Sequence, residues 1–155
     1  MTPSSPQATS SVGWAIQPVS VGGTTFGVAR LEVRLYLAPT STGQPNLLQL
    51  AWLDTGAPLS VIPFHVQQTG LHWQPIPGVR TSWSGQRCNL GRIDIWLPTD
   101  QPPHLHGPFS LLAKFPQTDP PGDPVPILLG LDFFLTHQAE FQLLLPPQDG
   151  RILLP

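Results

Sequence analysis

The stretch Ala51-Trp52-Leu53-Asp54-Thr55-Gly56-Ala57 sends an apolar strand straight into an Asp-Thr-Gly turn, and a second apolar run, Leu59-Ser60-Val61-Ile62, leaves it. Placing a carboxylate between two buried strands is costly, because an unpaired buried charge loses several kcal/mol of hydration. Chains keep such a group where its acid–base behaviour is used. A second element further on has a related shape. Val125-Pro126-Ile127-Leu128-Leu129-Gly130 is an apolar strand ending in glycine, followed by a helix-like segment.

Around these two elements the chain reads as strands joined by turns. It holds 21 prolines and 14 glycines in 155 residues, and only 10% of its residues are charged. That composition opposes a helical bundle and suits short strands. Ala29 to Leu37 alternates, with Leu31, Val33, Leu35 and Leu37 on one face and Arg30, Glu32, Arg34 and Tyr36 on the other. Leu47 to Leu53 is the strand that feeds Asp54, and Arg92 to Leu97 alternates again. Val79 to Leu90 reads as a hairpin with its tip at Trp83-Ser84-Gly85-Gln86. Phe109 to Phe115 reads as a further strand, and Phe141 to Leu145 with Arg151 to Leu154 as a closing hairpin. Phe64 to Thr69 is a short helix-like piece. Leu131 to Glu140 is the clearest helix, with Asp132 placed to cap it. Residues 1–12, rich in Ser, Thr, Pro and Gln, read as a disordered tail before a single domain at 13–155, whose first strand, Trp14 to Val21, is expected at an edge. The expected fold is all-β with one or two short helices.

Several function classes fall away. The net charge is −2, and one lysine, Lys114, accompanies six scattered arginines, so nothing forms the basic stripe a nucleic acid needs. Apolar runs such as Ile127 to Leu135 fall short of the roughly 20 residues that cross a bilayer as a helix, and no membrane partner is expected. Cys88 is the only cysteine, which excludes an intrachain disulfide. The first residues lack a basic and an apolar region of the secretory kind, which leaves a cytoplasmic location as the default. His104 and His106 sit two apart in a proline-rich loop without a cysteine or carboxylate beside them, so neither metal nor other cofactor is expected. Ser60, Ser84 and Cys88 lack the local pattern of a nucleophile.

Hydrolysis of a peptide by carboxyl groups alone takes two of them sharing a proton. The ionised one draws a proton from water while the protonated one donates to the scissile carbonyl. This chain offers one carboxylate in such a setting. Asp94 lies on the polar face of a strand, Asp132 belongs to a helix start, and Asp100, Asp119, Asp123 and Asp149 fall in loops. A second copy related by two-fold symmetry is the way left to build the pair.

The Asp54-Thr55-Gly56-Ala57 loop and the later Ile127-Leu128-Leu129-Gly130 strand, in this order over residues 26–155, resemble the paired signature of the retropepsin-like aspartic proteases. The resemblance implies a closed acid-protease β-barrel and a homodimer with one Asp-Thr-Gly loop per subunit. It implies an aspartic endopeptidase acting on extended polypeptides. On that pattern Asp54 is catalytic, Thr55 clamps the two loops across the axis, and Gly56 lets the backbone approach the carboxylates. Leu129 and Gly130 support the loop from beneath, and Ala57, Trp83, Ser84 and Gly85 contact substrate, the last three as a flap. The terminal strand Arg151 to Leu154 is then expected to knit the dimer. Two departures stand out: Pro58 replaces an acidic residue of the viral members, and the flap tip carries Trp83 and a single glycine. The alternative is a catalytically silent dimer of the same fold acting as a protein-interaction module.

Overall fold

The computed structural model describes residues 8–144 and 149–155. Ten strands and two helices follow in order: β1 (Ala8–Val21), β2 (Thr24–Leu37), β3 (Leu47–Leu53), β4 (Ser60–Val61), α1 (Phe64–Gln67), β5 (Gln74–Trp83), β6 (Gln86–Pro98), β7 (Leu105–Pro116), β8 (Ile127–Leu129), α2 (Leu131–His137), β9 (Glu140–Leu144) and β10 (Asp149–Leu154). All strands join one sheet in the order β5-β6-β7-β4-β8-β3-β2-β1-β10-β9. The fold is all-β. A further pairing of Tyr36 with Trp96 brings β2 against β6, so the sheet curls until its pairings return on themselves at one residue pair.

The core lies within that curl, where the alternating strands send their apolar faces. Leu35 and Leu37 of β2, Ile93, Ile95 and Leu97 of β6, and Leu111, Ala113 and Phe115 of β7 are buried together with Phe133 of α2. Trp73 stacks on Phe115 with ring centroids 3.8 Å apart. Gly91 makes room for it: a Cβ there would meet the Trp73 ring at 2.6 Å.

Two parallel pairings organise the functional end. Within the sheet β3 lies beside β8 in the register Ala51↔Ile127, Trp52↔Leu128 and Leu53↔Leu129, and β4 runs beside β7. Segments more than seventy residues apart in sequence thus end at the same level.

The structure corrects several expectations. The boundary of the tail lies earlier, since Ala8 to Val12 already belong to β1 and pair with β10 from Ala8↔Leu154 onward. Ala8, Ser10 and Val12 alternate inward and are buried, a period of two that the Ser/Thr-rich composition hides. Residues 1–7 lie outside the described residues. The strand from Trp14 to Val21 does lie at an edge: among the described residues it pairs with β2 alone, while β10 pairs only with Ala8 to Val12. β10, expected to knit a dimer, is itself taken on both sides by β1 and β9. The hairpin expected at Val79–Leu90 extends from Gln74 to Pro98 and absorbs the strand expected at Arg92–Leu97. Helix α2 stops at His137, where Gln138 turns left-handed with φ of 52°. Leu145 lies outside the described residues.

Candidate functional site

Asp54 stands at the end of β3, in the first position where the strand no longer pairs. Its backbone N–H donates to Leu129 O at 2.9 Å, which continues the β3–β8 ladder by one bond and seats the turn. The turn closes locally: Ala57 N–H donates to Asp54 O at 3.1 Å, and Gly56 N–H donates to the carboxylate oxygen Oδ1 at 3.1 Å. The side chain thus accepts from its own turn, the habit that makes aspartate a turn residue. One carboxylate oxygen is anchored in this way.

In the single chain this carboxylate is half-buried and Thr55 and Gly56 are exposed. The expectation of a carboxylate enclosed between two strands is therefore corrected: β3 is packed up to Leu53, and the turn then emerges onto the surface.

Gly130 lies directly beneath the loop. A Cβ there would come within 2.7 Å of Ala57 O and 2.9 Å of Leu59 O, both backbone atoms with little room to give. Leu129 is fully buried. Leu131 N–H donates to Ala57 O at 2.9 Å and ties the start of α2 to the same turn. So the structure brings Asp54, Thr55, Gly56 and Ala57 together with Leu129 and Gly130.

Beyond the turn a buried polar knot fixes where the chain goes next. Ser60 is fully buried. Its backbone N–H and its hydroxyl both donate to Asp132 Oδ1, at 2.8 and 2.7 Å, while Gly130 N–H donates to Ser60 Oγ at 3.0 Å. Asp132 is therefore not a helix cap. Gly130 occupies that position without a side-chain bond, and the Asp132 carboxylate reaches across to β4 instead. Its other oxygen, Oδ2, is buried without a partner among the described residues, and burial pushes the carboxyl group above the usual aspartate range against the opposing effect of the Ser60 hydrogen bonds. Sequence reasoning missed Ser60 and this role of Asp132. Each is unremarkable locally, and only the β4–β8–α2 packing brings them together.

The residues assigned to a flap form the tip of the β5–β6 hairpin. Trp83 pairs with Gln86 across a two-residue turn in which Ser84 and Gly85 both have positive φ, 49° and 75°. That is the backbone of a type I′ hairpin turn. Trp83 is half-buried, and Ser84 and Gly85 are exposed. Clefts of about 160, 540 and 310 Å³ open elsewhere on the surface, and neither the Asp54 turn nor residues 83–85 line any of them. Among the described residues no three His, Cys, Asp or Glu side chains gather as metal ligands. His104 and His106 instead turn to Thr99: His106 Nδ1 lies 2.7 Å from its hydroxyl and His104 Nδ1 3.4 Å from its carbonyl. Cys88 is buried, which raises its thiol pKa. Among the described residues no helix is long and apolar enough to cross a membrane.

No protein-family model matches the chain, and no curated protein sequence matches it. Among solved structures the chain is similar to a retropepsin-like aspartic protease from Rickettsia conorii, at 13% identity and a TM-score of 0.45, over 97% of this chain and 96% of that one. It is also similar to the retroviral protease-like domain of Ddi1 from Leishmania major, at 18% identity and a TM-score of 0.41, over 72% of this chain and 79% of that one. These are likenesses of chain path.

Proposed function

We propose that this chain is an aspartic endopeptidase that works as a homodimer, with Asp54 of each subunit forming one half of a carboxylate pair. The observation that carries the reading is the parallel β3–β8 register, which sets the Asp54-Thr55-Gly56 turn on Gly130 and leaves the carboxylate at the surface of the single chain. A surface turn held this firmly is suited to meeting its own copy.

In such a pair the two carboxyl groups share one proton. The ionised Asp54 takes a proton from the attacking water, and the protonated one donates to the oxygen of the scissile carbonyl. The pair titrates as a unit, with macroscopic values that belong to both residues. Gly56 N–H, already on Asp54 Oδ1, holds one oxygen and fixes the other's direction. Thr55, exposed beside it, is free to bond across the axis. Substrate is an extended polypeptide, paired strand-like with backbone near the β5–β6 hairpin and read by pockets for alternate side chains. The second reading, a non-catalytic interaction module of the same fold, draws on the separation of residues 83–85 from the clefts.

Cleavage of a mixed peptide library at about pH 3.5, 5 and 6.5, spanning the range in which a carboxylate pair holds one proton, tests the proposal. Wild type and Asp54→Asn are run together at high protein concentration. Cleavage by wild type alone is the expected result. Equal cleavage by both overturns the role of Asp54, and no cleavage by a demonstrably dimeric wild type favours the interaction module.

A further inference from the structure

β1 and β2 are each 14 residues long, but over much of that length each pairs, among the described residues, with the other alone. The last pair between β2 and β3 is Glu32↔Trp52, and β1 pairs with β10 only from Ala8 to Val12. From Ile16↔Ala29 to Val21↔Thr24 the two strands have, among the described residues, only each other, up to a Gly22-Gly23 turn with φ of 57° and 81°. Six residue pairs at about 3.3 Å per residue make an arm roughly 20 Å long. None of its residues whose burial is described, from 16 to 29, is buried.

The direction of the arm ties it to the candidate site. β3 runs antiparallel to β2, so continuing their register past Glu32↔Trp52 sets Arg30 level with Asp54. The arm begins where β3 gives way to the Asp54 turn and overshoots it. Anything seated on Asp54 therefore has this hairpin along its flank.

Its side chains are those of a contact surface. Ile16, Val21 and Phe26 are 63%, 64% and 54% exposed. Val19 stands opposite Phe26, and Val28 opposite Gln17, on the same face as Val21. Arg30 Nε donates to Gln17 Oε1 at 3.3 Å, and its guanidinium lies 4.7 Å from the Trp52 ring, so the base of the arm is braced against β3. A lone two-stranded hairpin is marginal in water, and one with apolar residues along it gains from cover.

We propose that the β1–β2 arm is a clasp for a second copy of this chain: the arm of each protomer lies along the other when the two Asp54 turns meet. The inference rests on the reading of Asp54 as half of a two-fold pair. A second copy is the favoured occupant because that site is incomplete without one, and because two-fold symmetry brings both arms into play at once, which doubles the apolar surface covered. The arms, not the terminal strand, then supply the holding contacts, since β10 is already paired on both sides within its own chain.

Sedimentation velocity on the full chain at tens of micromolar tests this with three proteins. They are wild type, Phe26→Asp, and a shortened arm lacking Pro18–Val21 and Thr24–Gly27, which keeps Gly22-Gly23 between the paired Gln17 and Val28. The expected result is a dimeric wild type and at least about tenfold weaker association in both variants, with thermal transitions close to wild type because the arm lies outside the core. Should the shortened arm fail to fold, Phe26→Asp decides. Variants that dimerise as tightly as wild type overturn the clasp and leave the Asp54 pair standing. If peptide cleavage alone changes while dimerisation does not, the arm serves substrate and the clasp is wrong. A wild type that stays monomeric overturns the Asp54 pair, and the clasp with it.

Discussion

Asp132 holds one carboxylate oxygen against two donors of Ser60 and buries the other with no partner among the described residues. Burial is the largest influence on it and raises its proton affinity in the folded protein. The sign follows from linkage. A carboxyl group whose pKa is higher folded than unfolded contributes stability that is fully present below the unfolded value, about 3.9. That contribution is lost as pH rises through the folded value. Asn at this position does not titrate, and its carbonyl still accepts from Ser60. Denaturant midpoints at about pH 3.5 and 7 are expected to show the stability difference shifting in favour of Asp132→Asn as pH rises. Asp132→Ala should cost about 1–3 kcal/mol at both, because it strands the two buried donors of Ser60. A difference between Asn and wild type that does not move with pH would show that Asp132 keeps its charge state on folding. At this scale the sequence is legible where chemistry is local. Asp54, Thr55 and Gly56 announce a turn by themselves, whereas Ser60 and Asp132 lie 72 residues apart and nothing in either neighbourhood points to the other.

The β5–β6 hairpin shows the same division among elements. Its tip was readable from Trp83-Ser84-Gly85-Gln86, because a small residue and glycine between strands signal a turn. Its length was not. Gly91 falls between the hairpin expected to end at Leu90 and the strand expected to start at Arg92, yet it is a gap in the strand's surface into which Trp73 packs, and β6 passes through it without a break. The arm of β1 and β2 went unread for a related reason: Gly22-Gly23 marks a turn, but whether strands beside a turn lie in a sheet or beyond it depends on where their neighbours stop. The tip makes a definite prediction. Both central residues have positive φ, which glycine and asparagine accept and β-branched residues resist. Gly85→Val should therefore destabilise the protein by about 1–2 kcal/mol, and Ser84→Asn should be neutral or stabilise it slightly. Thermal denaturation of the two variants separates this from a tip that merely projects into solvent, where both substitutions would be silent.

At the scale of the whole molecule, the single Asp-Thr-Gly turn is the most consequential count in the chain. One turn on one curled sheet means that a carboxylate pair is a property of two chains, which makes the number of active sites depend on how subunits are shared. Mixing wild type with Asp54→Asn exploits this. When equal amounts exchange freely at a concentration well above that needed for association, random pairing leaves about a quarter of the dimers with two carboxylates and about half with one. If hydrolysis needs both, activity per total protein falls to about a quarter of wild type, and titration with the variant follows the square of the wild-type fraction. If each chain acts alone, activity falls only to about half and the dependence is linear. The two curves separate most clearly at equal mixing, and the comparison is made on preparations incubated long enough for exchange, with the shortened-arm protein as a control for its rate. A linear curve at full exchange would sink the two-chain site however tightly the chains associate, because it would place the whole of the chemistry on one Asp54.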